Sequence, residues 1–250
     1  MLIAVTAAAA LFPSLLLLWY FRSRDRNPEP GRVVWTTFVL GIVIIVPILF
    51  VAFPADMLCK RLGSPLAVGF STAFLAAAIP EELFKFLVVT RYAARHRAFD
   101  EPMDGVVYGA VASLGFATFE NVLYVAQNGL GTAVLRALTA VPGHAFTGVI
   151  MGYYVGRARF TTDEAEGSRL LRAGLGWAIL LHGLYDFPLL ALKQYEAMGA
   201  LDRMPFFALG LVVFTACVLG YEARFARRLV REARADQERA SIPVLDGTTG

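Results

Sequence analysis

The chain has 250 residues, of which 57% are hydrophobic and only 17% are charged. Soluble domains are usually about 45–50% apolar and about 25% charged, so this composition excludes an ordinary soluble domain. The net charge of +3 does not indicate a nucleic-acid partner, because the basic residues flank apolar segments and form no basic groove with interleaved aromatics.

The apolar residues fall into blocks of roughly 20 residues, each long enough to cross about 30 Å of hydrocarbon at about 1.5 Å per residue. The blocks cover residues 2–21, 33–53, 66–89, 105–126, 133–155, 173–192 and 204–221. Pro80 lies inside the third block and is expected to kink or loosen it, since proline removes a backbone donor. The predicted fold class is all-α: a polytopic transmembrane bundle of about seven helices, in the cell membrane.

The basic residues predict the orientation of this bundle. One set of alternate loops and the C-terminal segment hold most of the 23 lysine and arginine residues. The other side has only Lys60, Arg61, Arg136, Lys193 and Arg203. Because cytoplasmic loops are enriched in lysine and arginine, the N-terminus is predicted outside and the C-terminus in the cytoplasm.

The domain organisation follows from the same pattern. Residues 1–221 are predicted to form one membrane domain, in which helices within about 66–192 carry the chemistry and the first, second and seventh supply packing. Residues 222–250 are predicted to be a basic cytoplasmic tail, helix-permissive to about Ala240 and disordered from Ser241. Cys59 in a loop and Cys217 in an apolar block are not expected to meet, so no disulfide is predicted.

Ionisable residues lie inside the third to sixth helices, where each formal charge costs about 2.5–3.5 kcal/mol if it faces lipid. They are Glu81, Glu82 and Lys85 on the third helix, Glu120 on the fourth, His144 on the fifth, and His182 and Asp186 on the sixth. Spacings of three and four residues place Glu81 and Glu82 beside Lys85, and His182 beside Asp186. These side chains are therefore predicted to face one another or a water-filled cavity.

Their chemistry suits hydrolysis of an amide bond. Adjacent carboxylates in a site of low dielectric cannot both ionise cheaply, so one can hold a proton that the other accepts. Glutamate and histidine around trapped water can act as general base and proton donor. The same residues could instead bind a divalent metal such as zinc, with Glu81, Glu120, His144 and His182 as candidate ligands. The residue pattern leaves open whether the cofactor is such a metal or none.

These stretches resemble the PrsW family of intramembrane proteases, which is related to the CAAX-prenyl endopeptidase and bacteriocin-processing superfamily. The resemblance covers about Pro80 to Asp186. It is carried, in chain order, by Glu81-Glu82-x-x-Lys85, Phe116-x-x-x-Glu120-Asn121, His144 and His182-x-x-x-Asp186.

The resemblance implies intramembrane proteolysis, with Glu81 as the base that activates water and Glu120 as its assistant. It implies that His182 and Asp186 polarise the scissile carbonyl, that Glu82 and Lys85 order the site, and that His144 is a further proton carrier or ligand. Glu120 stands where the prenyl proteases have histidine, and Asp186 where they often have asparagine. Phe116 and Asn121 are supporting residues, and Asn121 is expected to form interhelical hydrogen bonds.

The expected partners are the lipid bilayer and a membrane-protein or lipidated-peptide substrate. The family's best-known member type cleaves an anti-sigma factor, so regulated proteolysis is one implied role. Two alternatives use the same residues: a proton- or ion-coupled transporter, and a non-catalytic membrane scaffold. The transporter is disfavoured because the sequence has no inverted repeat or paired broken helices.

Overall fold

The computed structural model describes residues 2–240, with side chains from 8 to 239, and those residues form helices joined by short turns. The helices are α1 (Leu2–Arg22), α2 (Gly31–Val43), α3 (Ile45–Cys59), α4 (Pro65–Ser71), α5 (Ile79–Arg91), α6 (Pro102–Asn128), α7 (Leu130–Leu138), α8 (Ala140–Phe160), α9 (Glu164–Ala197) and α10 (Pro205–Ala240). A π-helical segment, Thr72–Ala78, joins α4 to α5. No strand occurs in this part of the chain, which confirms the all-α membrane bundle.

Five described stretches are long and apolar enough to cross a membrane, so the protein is a multi-pass membrane protein. They are Gly31–Cys59, Pro102–Asn128, Leu130–Phe160, Glu164–Ala197 and Pro205–Arg239. The first predicted block contributes a shorter apolar helix, Ala8–Arg22. The third predicted block lies within the unbroken helical run from Pro65 to Arg91. All seven blocks are thus helical, while the number of crossings and the orientation stay predictions.

Three local features differ from the simple block pattern. The fifth block is divided at Thr139, where φ is −127° and ψ is −78°, so a short helix α7 precedes α8. Helix α10 continues without interruption through residue 221 to Ala240. Cys59 ends α3 and is buried rather than lying in a loop, and both cysteines are free. The predicted disordered segment from Ser241 to Gly250 lies outside the described residues.

Helix α6 forms the centre of the bundle. Every residue from Met103 to Thr118 is buried, and the helix packs against α1, α2, α5 and α8. A helix that is apolar around its whole circumference belongs in such a position. Its closest neighbour is α8, because glycines face each other across the contact. A Cβ atom at Gly152 would lie 2.0 Å from the carbonyl oxygen of Gly105, and one at Gly109 would lie 2.2 Å from that of Gly148.

Pro80 shapes the helix that carries the acidic pair. In an α-helix its ring would clash with the carbonyl group four residues earlier, and it has no N–H to donate. The chain is π-helical just before it, and the N–H of Ile79 bonds to the oxygen of Phe74, five residues back. The predicted loosening at Pro80 is therefore a widened turn. It places Glu81 and Glu82 in the first turn of α5.

The contact between α6 and α8 gives a test of the packing. We expect Gly152→Ala to lower the free energy of unfolding by about 1–3 kcal/mol, because the added methyl meets backbone atoms that cannot rotate away. Gly176→Ala on α9 is the matched control, since nothing lies within 4 Å of its Cβ position. Reversible unfolding in mixed micelles measures both variants. Equal stability of the two would contradict the packing argument.

Candidate active site

The ammonium group of Lys85 lies at the centre of the predicted site. The Lys85 side chain is wholly buried, and its Nζ atom is 2.8 Å from Glu82 Oε1 and 3.4 Å from Glu81 Oε2. The third contact is His144 Nδ1 on α8, at 3.1 Å. Lys85 therefore does not turn outward to the membrane surface. The Lys85 ammonium group thus contacts two acids of its own helix, α5, and a histidine of α8.

The ring of Phe116 lies on the other side of this cation. Lys85 Nζ is 4.2 Å from the ring centroid, a distance at which the negative face of an aromatic ring attracts a cation. The same ring meets His144 edge to face, with centroids 5.4 Å apart. Phe116 thus shields the ammonium group and limits the position of the imidazole.

His182 on α9 lies among three carboxylates. Its Nδ1 atom is 2.8 Å from Glu82 Oε1, so this nitrogen carries the hydrogen and donates it. Its Nε2 atom faces Asp186 Oδ2 at 3.2 Å and Glu81 Oε2 at 3.8 Å. Ionised carboxylates only accept hydrogen bonds, so either a proton or a cation must lie between Nε2 and these oxygens.

His144 and Arg136 hold Glu120. Glu120 Oε2 accepts from Arg136 Nη2 at 2.6 Å and lies 2.8 Å from His144 Nε2. Because His144 Nδ1 accepts from Lys85, its Nε2 atom is the donor to Glu120. The implied assistance to Glu81 is thus not a direct contact. Glu120 is linked to that acid through His144 and Lys85.

Asn121 connects the site to the N-terminal helix. The side chain is fully buried; its Nδ2 atom donates to the carbonyl oxygen of Ala10 on α1 at 2.8 Å, and its Oδ1 atom accepts from Arg136 Nε at 3.1 Å. These are interhelical hydrogen bonds, as expected for this residue. They fix the guanidinium group that holds Glu120.

The structure brings all the predicted site residues together and adds two more, Arg136 and Glu222. The charge pattern assigns Arg136 to one side of the membrane, near the start of the fifth block; the structure has it in the last turn of α7, where it contacts Glu120. Glu222 is placed by the sequence in the tail, yet it is 1% exposed, and neither carboxylate oxygen has a partner among the described residues. The sequence signal for the burial of Glu222 is the helical spacing of the apolar residues Val218, Phe225 and Leu229, which are buried on the same face of α10.

A cavity of about 450 Å³ opens beside these residues. Its lining includes Glu222 of α10, so the last helix contributes an acid as well as packing. The acids and imidazoles that line it are Glu120, His144, His182, Asp186 and Glu222, and its cations are Arg136 and Lys193. The remaining wall combines threonine and tyrosine side chains with an apolar part formed by Leu135, Ala140, Leu189, Leu190, Val212, Ala216 and Leu219. The cavity can therefore accept an apolar chain segment beside a polar floor.

Three residues have the donor atoms of a catalytic zinc site. Donor atoms of Glu81, His144 and His182 all lie within 4.8 Å of one another. One carboxylate and two imidazoles are a known catalytic zinc ligand set. Glu82 and Glu120 contact the two imidazoles, as carboxylates commonly do around metal-bound histidines. The acceptors around His182 Nε2 also fit a bound cation. His144 Nδ1 accepts from Lys85 in this structure and would exchange that hydrogen bond for the metal, and with that exchange the residues present suit a metal.

Comparison with known proteins gives the family. A profile that describes the PrsW family intramembrane metalloproteases matches residues 29–227. Protease PrsW of Bacillus subtilis is 41% identical over 189 residues, which cover 75% of this chain and 84% of that protein. Protease PrsW of Geobacillus kaustophilus is 40% identical over 191 residues, with coverage of 75% and 81%.

A more distant relative is Protease PrsW of Clostridioides difficile, which is 29% identical over 190 residues and matches 72% of this chain and 77% of its own. No solved structure matches the chain. The profile spans most of the sequence and includes every residue of the site described above. The chain therefore belongs to the PrsW family of intramembrane metalloproteases.

Proposed function

We propose that this intramembrane endopeptidase cleaves its membrane-protein substrate where Glu81, His144 and His182 converge, with Glu81 accepting the proton of the attacking water. The observation that carries the proposal is that two histidines and an acid converge beside a cavity. Family membership makes the protein a peptide hydrolase, so the transporter and scaffold alternatives are set aside.

The contacts of the two acids support Glu81, not Glu82, as the base. One oxygen of Glu82 lies 2.8 Å from both Lys85 Nζ and His182 Nδ1, and the side chain is fully buried. The contacts of Glu81 are longer, at 3.4 and 3.8 Å, and its side chain retains 12% exposure. A base must reach water and have a free lone pair. Glu82 instead orders Lys85 and His182.

The family description implies a metal, and Glu81, His144 and His182 would hold it. The chemistry that a bound divalent metal supplies is polarisation of the scissile carbonyl and a more acidic water. The chain's own residues orient this centre. Glu82 and Asp186 hold the His182 ring from its two nitrogens, so that Nε2 stays turned toward Glu81. We propose that His182 and Asp186 face the scissile carbonyl.

Glu120 is proposed to act on His144. Its carboxylate accepts the hydrogen of Nε2 and is itself held by Arg136 at 2.6 Å. This arrangement fixes the ring orientation and the tautomer of His144.

The cavity wall supports an apolar polypeptide segment as substrate. Leu135, Leu189 and Val212 can contact side chains that were in lipid, while the backbone of the segment meets the polar floor. A single-span membrane protein, such as an anti-sigma factor, offers such a segment directly. A lipidated peptide would place its lipid chain along the same wall, and side-by-side cleavage assays of both substrates distinguish them.

Glu81→Gln tests the proposed base. We expect cleavage of a single-span substrate by the reconstituted protein to fall by about 10²–10⁴-fold, because the amide cannot take up the proton. Glu164→Gln, an exposed change in the first turn of α9, is the control and should retain activity. Gel and mass-spectrometric detection of the products measure both.

Elemental analysis of the same samples separates two roles of Glu81, namely accepting a proton from water and binding the metal. A variant that keeps the metal and loses cleavage supports proton acceptance, whereas joint loss of metal and cleavage supports a ligand role alone. Wild-type cleavage by a folded Glu81→Gln variant would refute both.

Lys85→Met tests the central cation. We expect the free energy of unfolding to fall by about 3–5 kcal/mol, because the change leaves Glu82 buried without its cation. Lys60→Met, which removes an exposed pair with Asp56 at 2.5 Å, should cost under about 1 kcal/mol. The double variant Lys85→Met with Glu82→Gln should regain part of the loss. Thermal unfolding measures all three, and similar losses for both single lysine variants would contradict the role of Lys85.

A further inference from the structure

A second group of buried acids lies outside the active site, where the loop between α1 and α2 meets the start of α6 and the end of α10. Asp25 and Glu29 come from the loop and Asp104 from the first turn of α6. Their exposed fractions are 6%, 3% and 0%. One carboxylate oxygen of each lies within 4.8 Å of the others. The three acids therefore converge on one point.

Part of each carboxylate is held by protein donors. Asp25 Oδ1 accepts from the backbone N–H of Asn27 at 3.0 Å and from Gln237 Nε2 at 2.7 Å. Asp104 Oδ2 accepts from the backbone N–H groups of Asp100 and Glu101, at 2.7 and 2.8 Å. These bonds fix the orientation of both carboxylates.

Glu29 and Gln237 complete the group. Glu29 Oε2 accepts from the hydroxyl of Tyr108, which is also buried. Gln237 on α10 is only 6% exposed, and its Nε2 atom also donates to Glu101 Oε1. Its amide thus packs against the acids from a different helix.

Three oxygens of this group remain without any partner among the described residues. They are Asp25 Oδ2, Asp104 Oδ1 and Gln237 Oε1, and all three are buried. The Gln237 oxygen is an independent observation, since it belongs to a neutral amide and not to an acid. Buried oxygens without a donor are costly, and three of them within one group of neighbouring side chains indicate a missing electrophile.

The basic side chains among the described residues do not supply this missing electrophile. Arg22 is the basic residue that reaches this region, and its Nη2 atom donates to the backbone oxygen of Glu29 at 3.0 Å, not to a carboxylate. Arg26 pairs with Glu238 instead, at 2.9 Å. The active site, by contrast, has Lys85 and Arg136 among its acids.

We propose that Asp25, Glu29 and Asp104, with the amide oxygen of Gln237, bind a divalent cation of the oxygen-preferring class, Mg²⁺ or Ca²⁺. Both ions take carboxylate and amide oxygens as ligands. The donors named contain no imidazole or thiolate, so the site disfavours zinc relative to the active site. The ion would tie the loop, α6 and α10 together, three elements that are distant in sequence.

Terbium luminescence tests this site in the full-length protein. Tb³⁺ binds oxygen sites of this kind and is sensitised by nearby tyrosine, here Tyr108, which contacts Glu29. We expect saturable emission that Mg²⁺ or Ca²⁺ displaces, and the better competitor identifies the ion. Asp25→Asn should weaken binding at least about tenfold, since it removes a charged ligand. Glu81→Gln should leave this emission unchanged, which separates the site from the active site.

Thermal unfolding provides a second readout. Added Mg²⁺ or Ca²⁺ should raise the Tm of the wild-type protein, because a ligand that binds only the folded state stabilises it. Asp104→Asn keeps an acceptor for the N–H groups of Asp100 and Glu101 and should lose this shift; if it does not fold, Asp25→Asn takes its place. Emission and Tm that respond equally in Asp25→Asn and wild type would overturn the proposal. Absence of any cation effect would overturn it too and would indicate acids that share protons only.

Discussion

The contact on which the site depends is that of one buried ammonium group with three acceptors. A lysine ammonium has three N–H donors, and Lys85 has Glu82, Glu81 and His144 within 3.4 Å of Nζ. Removing such a charge from water costs several kcal/mol, which only well-placed partners repay. The requirement acts in both directions. The acids of α5 need the cation to remain in the bundle, and the cation needs a histidine from another helix.

The helix packing makes that arrangement possible. His144 lies on α8 and Phe116 on α6, and the glycine contacts between these helices let their backbones approach closely. The two rings therefore flank Lys85 from neighbouring helices, at 5.4 Å from each other. On the third side, α5 begins directly after the π-helical turn, so the two acids lie in its first turn. A larger residue at Gly109 would separate α6 from α8 and so move Phe116 away from His144. A regular helix through Pro80 would move Glu81 and Glu82.

Sequence spacing predicts contacts within one helix and fails for contacts between helices. Glu81 and Lys85, or His182 and Asp186, are four residues apart and meet as expected. The partner of Glu120 does not follow from spacing, because it depends on how α6 packs against α8. The contact of Arg136 depends on the break at Thr139, which Pro142 signals because it has no N–H to donate to the carbonyl of Leu138, although the sequence does not say where the break turns the chain. Glu222 was hidden because the apolar block ends at Tyr221, although the buried face of α10 continues beyond it.

The two acidic groups of the protein differ in how their charge is compensated, and that difference determines what each can bind. Around Glu81 the compensation is built in: an ammonium, a guanidinium and two imidazoles surround the acids, and the imidazoles add nitrogen donors. Around Asp104 the neighbours are backbone N–H groups, an amide and a hydroxyl, which orient oxygens but carry no full positive charge. The first environment suits a borderline ion that takes nitrogen and oxygen ligands. The second suits a hard ion that takes oxygen alone, and only there does the ion have to bring the positive charge itself.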